Sequence, residues 1–366
     1  MLGFSRLQTY VLWRVLAAIL IWVLLFTSLD LLVDFVSISR DVGGRVDVSP
    51  AQVGVLTLMK APSVLLVILP FIFLFGTLTA YVGLNRRSEL IAMRAAGVSA
   101  WRFILPAAAA AFVCGVIATT ALNPIASDLS QRYEKTRADL MQDYSAGSPQ
   151  GIWLRQGQGR QQMVIHAQSR TESEHLTLKG LSVFFYLLDD QGVPQFQRRV
   201  EAKEATVTSG ALVLKDVSTS RPGGFSDHSE SLILPLVLSD PSALFHASNA
   251  QQVSFWDLPS AIRRAQESGL TSASYQLQLQ QLLAAPLLFA AMAVLAAAFS
   301  LRLVRLGGLA GLMGAGVALG FAFYFFNAVC GALGRSGTIP INAAAWAPPV
   351  LALLSGLALL CYTEDG

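Results

Sequence analysis

Long uncharged apolar runs bracket a single hydrophilic block in this chain. Residues 61–85, 103–127, 306–334 and 339–362 contain no Asp, Glu, Lys or Arg. A bilayer core takes about 20 helical residues to cross, and each of these runs is long enough. Residues 282–301 add an uncharged stretch that ends before Arg302, and residues 16–29 add a shorter one that extends past Arg14 on one side and through Asp30 and Asp34 on the other. In hydrocarbon an unpaired amide or carbonyl is costly, so each run is expected to be a helix, which satisfies its own backbone. The pattern predicts six transmembrane helices. The first is read as a retained helix, because it lacks a compact apolar core followed by a small-residue cleavage site.

The hydrophilic block, residues 128–267, changes period. Its beginning, with Leu129, Tyr133, Leu140 and Met141, reads as a helix carrying the third span out of the membrane. From Gly151 onward, short β-rich runs (152–154, 163–165, 181–188, 205–207, 211–214, 232–238) alternate with Gly, Pro, Asp and Ser punctuation. About eight short strands at that spacing argue for a sandwich or jelly roll. Pro235 cannot donate to a ladder, which makes its run an edge strand or a bulge, and an edge can also accept another chain's strand. Ser254-Phe255-Trp256-Asp257 reads as a capping box opening an amphipathic helix that stops at Gly269, and Thr271 or Ser272 caps the fourth span. Phe255 and Trp256 suit a membrane interface.

The predicted fold is an α-helical integral membrane protein with six transmembrane helices and an inserted all-β, jelly roll-like domain. Its parts are helices one to three over residues 1–127, the β domain with flanking helices over 128–267, and helices four to six over 268–366.

Composition agrees with this division: 54% of residues are hydrophobic, 13% are charged, and mean hydropathy is +0.54. With the N-terminus inside, Arg6, Arg14, Arg86, Arg87, Arg94, Arg102, Arg302 and Arg305 face the cytoplasm, against Arg40, Arg45, Lys60 and Arg335 opposite. That bias places both termini in the cytoplasm and the β domain outside the inner membrane. The block holds 14 basic and 16 acidic residues, so it offers no basic stripe for nucleic acid. Cys114, Cys330 and Cys361 all lie in apolar spans, leaving the β domain without a disulfide framework. His166, His175, His228 and His246 form no metal-ligand spacing, and neither a Gly-x-Ser-x-Gly elbow nor a Gly-x-x-x-x-Gly-Lys-Ser/Thr phosphate cradle occurs. The chain is therefore expected to be no enzyme and to hold no cofactor or metal.

The most informative short segment is residues 85–99, between the second and third spans. Ser88 suits an N-cap, Glu89 stands in the first turn where a carboxylate favours the helix dipole, and Gly97 is a natural stop. Glu89 is the only acid of the cytoplasmic loops and shares a face with Ala92, Met93 and Ala96. A dipole role alone would also account for it.

Arg87-Ser88-Glu89-Leu90 followed by Met93-Arg94-Ala95-Ala96-Gly97-Val98-Ser99 resembles the coupling helix of the paired permease subunits, F and G, of the lipopolysaccharide exporter. The resemblance extends to Lys60-Ala61-Pro62, Leu69-Pro70, Leu122-Asn123-Pro124, Tyr275-Gln276-Leu277, Pro286 and Ala345-Trp346-Ala347-Pro348. It covers nearly the whole chain and leans to the G-like subunit. It implies a permease subunit of an ABC transporter that extracts lipopolysaccharide from the bacterial inner membrane and passes it to a periplasmic bridge. The implied partners are a second, F-like permease, a cytoplasmic ATPase dimer holding the ATP and magnesium, a single-span membrane protein and the bridge protein. A coupling helix over about 86–99 would meet the ATPase through Glu89, with Arg87, Leu90, Met93 and Arg94 beside it.

Two substrate contacts follow. Arg40, Arg45 and Lys60 near the outer surface can pair with anionic headgroups, and interface anchoring explains them as well. Phe185 and Leu187, with Leu234 and Leu236, belong to runs apolar on both faces, which can line an interior holding acyl chains or pack a dry core. Where the family often has a basic residue at the outer end of span one, this chain has Asp30 and Asp34, which puts phosphate contact there in doubt. The rival readings are an intramembrane enzyme using Asp30 and Asp34 and a membrane-anchored envelope scaffold.

Overall fold

In the structure, a computed structural model, the described residues are 6–43, 48–142, 152–158, 161–172, 176–189, 194–208, 211–224, 226–235, 252–267, 272–303 and 309–364. The helices are α1 (Arg6–Gly43), α2 (Pro50–Arg86), α3 (Glu89–Ala95), α4 (Ala100–Ile117), α5 (Asn123–Gln142), α6 (Leu258–Glu267), α7 (Ala273–Leu303), α8 (Leu309–Arg335) and α9 (Ile341–Glu364). A π turn, Ala118–Leu122, joins α4 to α5 without a break. Six of these stretches are long and apolar enough to cross a membrane. An antiparallel sheet is inserted between α5 and α6. The chain divides into two compact units. One contains residues 1–137, 250–258 and 273–366, and the other contains 138–249 and 259–272.

The helical unit is assembled by small residues and rings. Helix α2 starts with a complete capping box, in which Ser49 Oγ accepts from Gln52 N and Gln52 Oε1 accepts from Ser49 N, with Pro50 at the first helical position. Against α1, a Cβ built on Gly76 would lie 2.7 Å from the Ile19 Cα. Beside that approach Trp22 stacks on Phe26 and Phe75 and donates from its indole nitrogen to Thr79 Oγ1. Tyr81 is fully buried, and its hydroxyl donates to the Phe103 carbonyl at 2.8 Å. Without lipid-excluded water to drive them together, such helices depend on close backbone approach and interhelical hydrogen bonds.

Two close seams run along α7. A Cβ on Gly115 of α4 would meet the Pro286 Cα at 2.5 Å, and one on Gly356 of α9 would lie 3.0 Å from the Leu295 amide nitrogen. Pro286 has no N–H, so the Leu282 carbonyl four residues earlier loses its helical donor. The Thr119 hydroxyl, from the π turn, donates to that carbonyl at 3.1 Å.

The inserted sheet contains β1 (Ile152–Gln158), β2 (Gln161–Glu172), β3 (Leu176–Leu188), β4 (Pro194–Thr208), β5 (Ala211–Ser220) and β6 (Asp227–Pro235), all antiparallel and in sequential order. Where about eight short strands were expected, the described residues form six longer ones. Among the described strands their order is that of a meander, without the crossing connections that distinguish a Greek-key jelly roll. Met163, Ile165, Ala167, Leu181, Val183, Val200, Ala202, Leu212, Leu214 and Leu234 share one face and, among the described residues, form a single buried cluster made of strand residues. A single sheet can bury such a face against itself only by coiling.

That coil has a visible fold line. Strict alternation would send Leu178 and Leu181 to opposite faces, yet both are buried, as are Ala202 with Ala205 and Leu214 with Val217. The phase slips at Lys179-Gly180, Lys203-Glu204 and Lys215-Asp216, which lie side by side across β3, β4 and β5. Gly180 and Asp216 both have positive φ there, +62° and +55°. β6 is an edge, and Pro235 ends its described part, as its missing N–H requires.

Candidate coupling and substrate sites

The α2 to α4 turn is a built corner. Arg87 N bonds back to the Gly83 carbonyl and Ser88 N to the Asn85 carbonyl, so α2 closes before α3 begins. Ser88 does not cap α3 with its side chain, as the sequence suggests. It adopts a left-handed φ of 58°, and the sharp reversal takes precedence over the cap. At the other end Gly97 takes φ +80°, and Gly97 N and Val98 N bond back to Arg94 and Met93.

Within this corner Leu90 is buried and belongs to the core of the helical unit, with Met93 packed against it. Glu89 is half-buried, while Arg87, Ala92, Arg94 and Ala96 are exposed. The residues singled out for coupling therefore sort into an anchor, Leu90 and Met93, and a charged and small-residue surface.

Near the C-terminal end of α1, Lys60 does not stand free. Lys60 of α2 donates to Asp34 Oδ1 of α1 at 2.8 Å. Asp34 is only 8% exposed, and its Oδ2 has no hydrogen-bond partner among the described residues. Farther out, Arg137 of α5 lies 3.7 Å from Asp41 of α1. Asp34 thus pairs with a cation on a neighbouring helix and Asp30 stands half-buried one turn earlier, which is the arrangement of a helix tie. Arg40 is exposed on α1, and Arg45 lies outside the described residues.

In the sheet, Leu234 is buried in the core, Phe185 packs against it half-buried, and Leu187 is 40% exposed. Arg198 sits over the Phe185 ring at 4.4 Å. Leu236 lies outside the described residues. Of the proposed acyl contacts, Leu234 thus packs the interior, and Phe185 and Leu187 lie two apart on β3 where burial declines toward the strand's C-terminal end.

Charges gather on the outer face at the fold line. An open pocket of about 360 Å³ is lined by Lys179, Lys203, Glu204, Lys215 and Asp216. Asp216 pairs with both Lys203 and His228. The hydrogen bond from Lys203 holds the Asp216 carboxyl below its usual range and in return holds the Lys203 ammonium above its own. Among the described residues no cluster of metal-ligating side chains occurs.

Sequence reasoning missed one polar seam. The 252–256 segment lies along α5 and the π turn: Trp256 Nε1 donates to the Thr120 carbonyl at 3.1 Å, Phe255 N to Asn123 Oδ1 at 2.8 Å, and Ser127 Oγ and Gln131 Nε2 both to the Gln252 carbonyl. The signal was present, because Thr120, Asn123, Ser127 and Gln131 recur at spacings of three and four, one face of a helix.

Comparison with curated proteins gives no match. Across residues 9–362 the chain matches the family model described as Lipopolysaccharide export system permease LptF/LptG, and it belongs to that family, as a lipopolysaccharide export permease rather than an enzyme.

Proposed function

We propose that this permease is one half of an ATP-driven exporter, beside a second, homologous F-like permease, with a cytoplasmic ATPase dimer docked on α3. In this reading it is the G-like half, on the strength of overall resemblance. The chain sits in the inner membrane with both termini cytoplasmic and the sheet periplasmic, an orientation supported by the arginine bias of the loops. Lipopolysaccharide leaves the bilayer and is handed, with a single-span membrane partner, to a periplasmic bridge.

Energetics requires the foreign motor. Removing an amphiphile from a bilayer reverses about 0.8 kcal/mol for each buried CH2, so a lipid with several acyl chains needs coupled work. The sequence contains no nucleotide cradle, so ATP and magnesium belong to the partner.

The observation that carries the proposal is the corner at α3. Glu89 is the one acid there, half-exposed beside Arg87 and Arg94, while Leu90 and Met93 root the same seven-residue helix in the core shared by α2 and α4. A docked ATPase that closes can therefore displace both spans together.

For the cargo, Arg40, Arg45 and Lys60 meet headgroup phosphates, Lys60 by exchanging its Asp34 partner for phosphate. Phe185, Leu187, Leu234 and Leu236 mark the sheet face that receives acyl chains. The test of coupling is Glu89→Ala in the assembled complex. Lipopolysaccharide export falls at least about tenfold, the loss of one charge-assisted contact of roughly 1.5–3 kcal/mol, while expression and membrane insertion stay normal. Full export by that variant contradicts the coupling role.

A further inference from the structure

We infer that Asn123 and Trp256 are positioning residues for export: they clip the chain, where it returns from the β insert, onto the π turn of the third span. The inference rests on the permease function and adds a part to it. Four hydrogen bonds make the clip. Trp256 donates to Thr120 O, Phe255 N to Asn123 Oδ1, and Ser127 and Gln131 both to Gln252 O. All four partners stand on one stripe of the helix that continues the third span.

The π turn gives this clip a second side. A π turn widens the helix and breaks its regular ladder, and such turns concentrate at functional positions. Here Thr119 of the turn donates inward to the Leu282 carbonyl, which Pro286 leaves without a helical donor, and one turn earlier Gly115 abuts the Pro286 backbone. Thr120, the next residue, accepts outward from Trp256. Adjacent residues of one irregular turn thus hold the fourth span and the returning chain.

The consequence is mechanical. The insert leaves the third span through α5 and its chain comes back at 252–256, beside the same helix. Both chain connections of the sheet itself are therefore fixed to one strut, and a shift between α4 and α7 is delivered to the sheet through that strut. Without the clip the return segment is loose, and the spans can cycle without moving the insert in step.

The test uses the complete complex in proteoliposomes containing lipopolysaccharide, with ATP hydrolysis and delivery to a soluble periplasmic acceptor read separately. Delivery by the unmodified complex is the control for the export reading itself. Asn123→Ala and Trp256→Phe each remove one bond and are expected to lower delivery about fivefold, the weight of one hydrogen bond near 1 kcal/mol, while hydrolysis stays within roughly twofold. A Ser127→Cys, Gln252→Cys pair, in a background lacking Cys114, Cys330 and Cys361, is expected to deliver poorly until a short thiol crosslinker closes it, and then to recover. Wild-type delivery by both single variants overturns the inference. So does a crosslinked clip that blocks delivery, or a fall in complex yield that crosslinking does not relieve, which makes the seam a folding element only.

Discussion

At the residue scale, the clearest physical statement is the Asp34–Lys60 pair. Lys60 looks in the sequence like a cation waiting for phosphate, yet it meets a buried carboxylate at 2.8 Å. Removing only the lysine strands that charge, so Lys60→Ala is expected to destabilise the protein by about 1–3 kcal/mol, seen as a lower Tm in mild detergent. Removing both charges, as Lys60→Met with Asp34→Leu, is expected to recover most of the loss. If the single variant melts like the wild type, the pair is not a structural tie. Asp30 and Asp34 could be located by reading the chain, but their partner could not, because Lys60 is on another helix and pairing across helices leaves no local signature. The same limit hid Trp256, whose acceptor is a backbone carbonyl 136 residues away.

At the scale of single elements, close approach of backbones decides which glycines are replaceable. Gly115 and Gly76 face backbone atoms at 2.5 and 2.7 Å, while Gly83 on the same α2 has nothing within 4 Å. Gly115→Ala and Gly76→Ala are expected to lose about 1–3 kcal/mol through forced separation of helices, and Gly83→Ala is expected to be neutral or slightly stabilising, by the loss of chain entropy in the unfolded state. Thermal unfolding of the three variants side by side checks this, and equal Tm values would refute the packing assignment. In the sheet, the Asp216 ion pairs act across the fold line. Asp216 titrates below its usual value of 3.8 and Lys203 above its usual 10.5. Their contribution is therefore fully present between those values. It is lost as pH falls through the lowered Asp216 pKa and as it rises through the raised Lys203 pKa. The Tm difference between wild type and Asp216→Asn should shrink on acidification below about pH 4. A difference that grows on acidification would contradict the assignment. Spans were legible because hydrocarbon enforces uncharged runs. Strand length was not, because the slips at Gly180 and Asp216 break the alternation by which long strands are recognised, so that 181–188 and 211–214 were read as short runs inside longer strands.

For the whole molecule, the layout follows from two solvents acting on one chain. Hydrocarbon selects the six helices, and water selects the β insert, whose charges balance to 14 basic against 16 acidic residues. In the proposed mechanism, work passes from one to the other through a narrow set of residues: α3 at the corner between α2 and α4, the α4 and α7 seam at Gly115 and Pro286, and the turn at Thr119 and Thr120. The family and the helical corner between α2 and α4 were legible because both lie in contiguous motifs, whereas the seam and the turn depend on pairings between distant segments. Copurification from mild detergent should retain a nucleotide-hydrolysing subunit and a second permease, and Leu90→Asp, which puts a charge at a 2% exposed core position, should release them. The most direct test of motor-driven export is lipopolysaccharide release from proteoliposomes containing the wild-type complex, with and without ATP, against vesicles containing this chain alone. ATP-dependent release from the complex and none from the isolated chain is the predicted result; release by the chain alone, without nucleotide or partner, would contradict the account.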